Sequence, residues 1–459
     1  MAVVSELETE LKYEAGDDLP PLADLPGISG VEGPQEVRLS AVYYDTADQR
    51  LARHGATLRR RTGGADEGWH LKVPVGGDSR VELRLPLDSA PATNAPPEEL
   101  AELTFGMTRG IELRPVAQLK TKRRTWRLTG PGGLVAEVAD DRVTARRLDS
   151  TDAADKWHEL EVELADPAAG PALDRALRKA GLRRSRHRSK LARVMPPPES
   201  PSSGDTAGEV LLAYLRTQVD ELVKQDLRVR RDEDDSVHRM RVACRRLRSV
   251  LRVYKRLLPG TARVRDDLKW LGRQLSPSRD LEVQYEHLRA EVASLPEELV
   301  VGPVEARLTR YFGPAQAGAR ETVLKALGDK RYRRLLDELD RLADLPMAPH
   351  AARPAKELGR HARRARRRID EQDTLHDTRK AAKRYRYALE VASPGSKKRR
   401  RAKKLTKLLG EYVDGSVAQP MLRELGMQAH LAGENGFTFG ILHERERARA
   451  ARVVGTRER

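Results

Sequence analysis

The sequence predicts a multidomain α+β protein: an antiparallel β-barrel over residues 1–195, a linker over 196–206, and an all-α helical bundle of two related halves over 207–455. Three observations predict it. The stretch from Val194 to Gly208, VMPPPESPSSGDTAG, is rich in Pro, Ser and Gly and has little to bury, as an interdomain linker does. Before it, short segments such as VVSELETELKYEA, VELRLPL and WHELEVEL alternate apolar and charged residues between Gly, Pro and Asp turns; after it, long runs of Ala, Leu, Arg and Glu take helical spacing. Within the helical part, one basic segment occurs twice.

A chain of 459 residues is too long for one ordinary core, and 39% hydrophobic with 34% charged residues gives packed interiors under an unusually ionic surface. The net +17 conceals an asymmetry: residues 1–200 hold 30 Lys and Arg against 32 Asp and Glu, a balance of −2, which leaves +19 for the rest. A domain with that excess calls for a polyanion, an acidic partner or a membrane surface. The first 30 residues carry acids and prolines where a secretory leader needs a basic start and an apolar run. No stretch of about 18 apolar residues occurs, so a cytoplasmic location without a membrane partner is expected. The single cysteine, Cys244, excludes an internal disulfide and reads as a small core residue. Aromatics at 4% leave little for base stacking, which argues against single-stranded nucleic acid.

In the first part, Glu6, Glu8, Glu10 and Lys12 share one face of a strand, because side chains two apart project to the same side. Alone, this is an ordinary solvated edge. The arrangement recurs, however, at Arg59 and Arg61, at Arg80, Glu82 and Arg84, and at Glu159, Glu161 and Glu163. Curved together, these faces would line a barrel with carboxylates and cations, a costly interior unless water, metal and anion fill it. Carboxylates suit Mg²⁺ or Mn²⁺ and Arg or Lys suits phosphate oxygens, the pairing that phosphoryl transfer needs. In AEVADD, Glu137 and Asp141 share parity and are the inward candidates, with Asp140 on the other face. His54, His70, His158 and His187 have no ligand-like spacing and are assigned no chemistry.

The residues Glu8-Thr9-Glu10-Leu11-Lys12 resemble the ExExK signature of the CYTH, or triphosphate tunnel metalloenzyme, superfamily. The rest of the pattern follows in order: the TLRRRT strand, WHLKVP, Arg80-Val81-Glu82, KTKRRTW, AEVADD, ELEVEL and Ser189-Lys190. The resemblance implies an eight-stranded tunnel with Glu8, Glu10, Glu159 and Glu161 as metal ligands for Mg²⁺ or Mn²⁺. It implies Glu8, Glu10 and Lys12 as the catalytic set, and Arg59, Arg61, Lys72, Arg80, Arg123 and Lys190 as phosphate contacts. Arg84 stands where relatives often continue an acid pair, so one acidic position is lost.

In the second part, HRMRVACRRLRSVL from His238 recurs without a gap as HDTRKAAKRYRYAL from His376. His238, Arg241, Arg245, Arg248 and Arg252 form one cationic helical stripe, Met240, Cys244, Leu247, Leu251 and Tyr254 an apolar one. One basic stripe is most often a solvated face; two, folded together, would frame a groove suited to a linear polyanion. Asp280 and Asp414, which follow the two copies, suit holding arginines or capping helices. The repeated HxxR, the RRLR run and Arg279-Asp280 resemble the CHAD domain. That resemblance implies two pseudo-symmetric helical halves around a basic channel for inorganic polyphosphate. Its contacts would be His238, Arg241, Arg245, Arg246, Arg248 and Arg252 with His376, Arg379, Lys383, Arg384 and Arg386.

Together the two resemblances imply a protein that binds polyphosphate and hydrolyses triphosphate or short polyphosphate. The alternative is a non-catalytic polyphosphate binder, in the cytoplasm or on polyphosphate granules. Nucleotide triphosphatase or class IV adenylyl cyclase activity ranks lower.

Overall fold

The computed structural model describes residues 3–16, 18–89, 95–197, 204–343, 345–372 and 374–455, with the side chains at 343, 375–376, 408–417 and 450–455 outside the described set. Two compact units divide it, Met1–Ser200 and Pro201–Arg459.

The first unit is a closed antiparallel barrel. Its strands are β1 (Val4–Glu14), β2 (Gly30–Asp45), β3 (Thr57–Thr62), β4 (Gly68–Gly76), β5 (Ser79–Leu85), β6 (Arg114–Gly130), β7 (Gly133–Arg147) and β8 (Asp155–Leu164), and a two-residue β9 (Arg183–Arg184) pairs beside β1. Neighbours run β5-β4-β3-β2-β6-β7-β8-β1, and pairing of β1 with β5 completes the circle. Pairing puts opposed residues on one face, so the register fixes what lies inside. Glu6 opposes Glu82, Lys12 opposes Glu161, Arg59 opposes His70, Lys72 opposes Glu82, Arg123 opposes Asp141, and Asp141 opposes Glu159. All of these side chains face the interior.

The outer face is apolar where helices cover it. Leu11, Tyr13, Leu160, Val162 and Leu164 pack against Leu173 and Leu177 of α4 (Gly170–Lys179). Shorter helices α1 (Arg50–Arg53), α2 (Glu98–Leu103) and α3 (Phe105–Thr108) bring in buried Leu51, Leu100 and Met107. One stretch of the interior face is also apolar: Ala41, Tyr43, Leu119, Val143 and Trp157 surround Leu191 and Met195. Leu191 belongs to α5 (Lys190–Val194), whose N-cap Ser189 accepts a hydrogen bond from the Ala192 backbone at 3.0 Å. Burying Leu191 commits its neighbour Lys190 to the charged stretch of the interior.

The second unit is helical: α6 (Ala207–Arg230), α7 (Ser236–Val253), α8 (Ala262–Gln274), α9 (Ser276–Ala293), α10 (Val304–Gly328), α11 (Lys330–Asp340), α12 (Leu358–Asp370), α13 (Leu375–Ala392), α14 (Lys397–Leu431) and α15 (Phe437–Gly455). The Thr206–Glu209 capping box starts α6. Helices α7 and α13 carry the two copies of the repeat and pack together, with the Arg245 guanidinium donating to the Tyr387 hydroxyl at 2.9 Å and the Tyr254 hydroxyl to the Ala388 carbonyl at 2.8 Å. Met240, Cys244, Leu247, Leu251 and Tyr254 are all buried, which turns the cationic side of α7 outward. A separate core joins α9, α10, α14 and α15 through Leu288, Phe312, Leu422 and Phe439. Among the described residues, no helix is long and apolar enough to cross a membrane.

Candidate functional site

Asp141, Glu159 and Glu161 project from β7 and β8 into the barrel, are buried, and bring carboxylate oxygens within 4.8 Å of one another. Three buried acids at that distance require cations. Lys190 supplies one, with its ammonium 2.9 Å from Asp141 and 2.7 Å from Glu159, and also paired with Glu161. Arg123 supplies the second, gripping Asp141 with two N–H groups at 2.8 and 2.6 Å and reaching Glu161 at 2.8 Å. Lys12 is the third, paired with Glu161 and 3.1 Å from Glu10. Burial alone would push Glu161 up; Lys12, Lys190 and Arg123 outweigh it and hold the carboxyl well below its usual range. Burial would likewise lower Lys190, but the three acids hold its ammonium well above the usual range.

Further round the barrel, Lys72 lies 2.5 Å from Glu8 and 3.4 Å from Glu82. Burial raises Glu8 to about 7 despite that ammonium. Glu82 also receives Arg84 at 3.0 Å and faces Arg59 at 3.8 Å, while Arg84 pairs with Glu6 as well. Arg61 is brought down to about 9, first by burial and then by Arg59 and Arg123 beside it, and pairs with Asp66. The Nε–H groups of Arg59 and Arg61 are buried without a hydrogen-bond partner. Arg80 donates to the Arg188 carbonyl.

The structure therefore brings Glu10, Lys12, Arg123, Glu159, Glu161 and Lys190 into one network. It places Glu8, Arg59, Arg61 and Lys72 in an adjoining one centred on Glu82. Asp141 joins the first network, as its parity implies, whereas Glu137 pairs at 3.3 Å with Arg127 and is half exposed. Asp140 lies on the other face with Arg124, at 2.5 Å, and His158. His70, given no role from sequence, is 1% exposed inside the barrel, its Nδ1 2.9 Å from Glu82 and its Nε2 3.0 Å from the Asp66 carbonyl. Burial brings His70 down to about 4, only partly offset by its hydrogen bond with Glu82. Its alternation with Lys72 in WHLKVP was the available signal.

In the second unit, a groove of about 680 Å³ is walled by Arg245, Arg248 and Arg252 of α7 and by Lys380, Lys383 and Arg384 of α13. Two further walls were not anticipated: Arg265 and Lys269 of α8, and His361, Arg364 and Arg368 of α12. Leu358, Ala362, Ala365 and Ile369 bury one side of α12, which turns these three to the groove. Burial, then the crowding of Arg245 and Arg252, lowers Arg248; burial, then Arg252 and Arg368, lowers Arg384. Cations that depress one another in this way favour a bound anion.

The remaining predicted contacts lie elsewhere. Arg241 pairs with Asp280 at 3.0 Å, matching the expected role of that acid. Glu390 takes Arg246 at 3.1 Å and Arg386 at 3.5 Å. Burial, then Arg279, lowers His238. Arg379 is half-buried on α13, while the side chains of His376 and Asp414 lie outside the described residues.

A model of the CYTH domain matches residues 6–194 and a model of the CHAD domain residues 213–423. Two uncharacterized proteins of Mycobacterium tuberculosis, from two strains, are each 35% identical over 96% of this chain and 93% of their own length. Among solved structures, PptA from Streptomyces chartreusis is 24% identical, with a TM-score of 0.46 over 55% of this chain and 96% of that one. The CHAD domain of the plant Ricinus communis is 23% identical, with a TM-score of 0.40 over 57% of this chain and 89% of that one.

Proposed function

Since the chain belongs to the proteins that carry a CYTH domain followed by a CHAD domain, we propose that it binds inorganic polyphosphate in the groove of its helical unit and hydrolyses triphosphate or short polyphosphate in its barrel. The observation that carries this reading is the buried group of Asp141, Glu159 and Glu161 interleaved with Lys12, Arg123 and Lys190. Hard carboxylate oxygens at this spacing fit Mg²⁺ or Mn²⁺. Asp141, Glu159 and Glu161 would hold the ion, with Glu10 and Glu8 as further acids on the same wall. Such an ion supplies charge neutralisation at the phosphoryl oxygens and lowers the pKa of bound water.

The chain's own cations position the substrate. Lys12, Arg123 and Lys190 surround one end of a phosphate chain, and Arg59, Arg61 and Lys72 the other. Burial strengthens each contact by excluding water. The groove of the helical unit, lined by α7, α8, α12 and α13, presents cations as a continuous wall, which suits a chain of identical phosphates.

A non-catalytic polyphosphate binder is the second reading, favoured by Arg84, which occupies Glu6 and Glu82 with a built-in cation. In either case the cytoplasm, or granules where polyphosphate accumulates, is the proposed place of action. Nucleotide triphosphatase and adenylyl cyclase activities rank lower.

The deciding experiment is phosphate release from triphosphate, pyrophosphate, ATP and long polyphosphate with Mg²⁺, Mn²⁺ or EDTA. Polyphosphate retention, with DNA as competitor at matched phosphate and salt, is measured on the same sample. Metal-dependent cleavage of triphosphate that Glu10→Gln abolishes, with retention unchanged, is the expected outcome. Retention without cleavage would establish the second reading, and equal competition by DNA would remove polyphosphate as the specific ligand.

A further inference from the structure

The position best suited to a divalent ion already holds a cation of the chain. The Lys190 ammonium lies among Asp141, Glu159 and Glu161, the same three carboxylates whose oxygens fall within 4.8 Å of one another. An ion bonded to all three would lie about 2–2.6 Å from their oxygens. It would therefore compete with the ammonium for one space. Around the cluster, four acids (Glu10, Asp141, Glu159 and Glu161) are met by three bases (Lys12, Arg123 and Lys190), so the network is within one charge of neutrality without any ion.

Lys190 is held there by more than charge. It opens α5, and its neighbour Leu191 is 2% exposed in the apolar stretch with Tyr43, Val143 and Trp157. The helix backbone is thus anchored by packing, while the four-carbon stem leaves the ammonium free to change partners. Phosphate oxygens entering beside Lys12 and Arg123 give it such a partner.

We infer that Lys190 is an internal stand-in for the metal: it occupies the Asp141–Glu159–Glu161 site until a triphosphate draws its ammonium onto phosphate oxygens, and the carboxylates so released then take the divalent ion. Metal and phosphate therefore bind with positive coupling, and the barrel takes up little metal on its own. The swap is a non-covalent exchange that conserves charge, since the ammonium stays charged and moves from carboxylate to phosphate. It rests on the reading of the barrel as a triphosphate and metal site, but not on turnover.

The test is Mn²⁺ binding to the full chain, read from the electron paramagnetic resonance of free Mn²⁺. It is run with and without a methylene-bridged triphosphate that cannot be cleaved, and chelation by the analogue is subtracted from a protein-free control. For the wild type, saturating analogue is expected to tighten Mn²⁺ binding by about tenfold or more, within the usual range of coupling between two sites. Lys190→Met should bind Mn²⁺ about tenfold more tightly than wild type without the analogue and gain little from it. Lys190→Arg, which keeps the charge, should resemble wild type; a purely structural lysine would give no such split between the two variants.

Equal Mn²⁺ affinity of the wild type with and without analogue overturns the inference, as does an unchanged affinity in a folded Lys190→Met. Should Lys190→Met not fold, the wild-type comparison decides alone. Phosphate release is scored separately: coupled binding without cleavage upholds the swap and sinks the hydrolytic reading, and cleavage by a chain that takes up Mn²⁺ alone does the reverse.

Discussion

Glu8 and Asp141 are both buried acids in the same barrel, yet their surroundings drive them apart. Burial raises Glu8 to about 7 because Lys72, at 2.5 Å, only partly offsets it. The folded state thus holds a proton that the unfolded chain releases near 4.5. This contribution to stability is full below about 4.5 and is lost as pH rises through about 7. The thermal midpoint of wild type, measured relative to Glu8→Gln, is expected to fall over that window and level off above it; a flat difference would show that Glu8 is ionised throughout. For Asp141, burial is outweighed by Lys190 and Arg123, which hold it below its usual range. Asp141→Asn leaves two buried cations short of an acid and is expected to cost about 3 kcal/mol in urea unfolding, the scale for breaking a buried ion pair. The strand alternation made most of this interior legible, since Glu8, Glu10, Lys12 and Glu161 all follow from parity, while Lys72 came only from the family resemblance. His70 did not emerge because its partners, Glu82 and the Asp66 carbonyl, come from β5 and a loop. Ligand spacing along one strand carries no information about contacts across strands.

Helices repeat the lesson. The repeat marked α7 and α13 as a pair from sequence, and the apolar stripe read on α7 is buried, which turns its cations outward. What spacing could not show is which arginines are already spent on local acids: Glu390 holds Arg246 and Arg386, and Asp280 holds Arg241. Nor did the repeat point to α12, although His361, Arg364 and Arg368 stand three and four apart in GRHARRARRR, because that segment has no second copy to single it out. The structure redistributes the expected binding energy accordingly. Arg364→Ala with Arg368→Ala should weaken polyphosphate binding at least as much as Arg248→Ala with Arg384→Ala. Each pair should also reduce the salt dependence by roughly one unit in the log–log slope for every phosphate that is no longer neutralised. Arg246→Ala should change neither by much, as its guanidinium is committed to Glu390. Filter retention of labelled polyphosphate across a salt series measures both quantities. A slope that stays unchanged in the α12 pair would remove that helix from the groove's function.

Across the whole molecule the charge division, −2 for residues 1–200 and +19 beyond them, gives the two units different responses to the same solution. In the first, opposite charges are already interleaved inside the barrel, and added salt has little repulsion to relieve. In the second, the groove cations depress one another, so the folded state stores repulsion that salt screens and a polyanion removes. Each unit has its own core, so calorimetry of the full chain should resolve two transitions. Raising salt without ligand should lift the midpoint of the helical unit more than that of the barrel. Long polyphosphate at about 100 times its Kd should stabilise the helical unit by about 2.7 kcal/mol, the value mass action sets for a ligand that binds only the folded state. That gain should shrink as salt rises, because the counterions released on binding are then more costly to release. Triphosphate analogue with Mn²⁺ should act mainly on the barrel transition, with Glu161→Gln removing that shift while leaving the polyphosphate shift in place. If polyphosphate instead stabilised only the barrel, the excess positive charge of the helical unit would have to serve a different anion, and the groove lined by α7, α8, α12 and α13 would lose its assigned ligand.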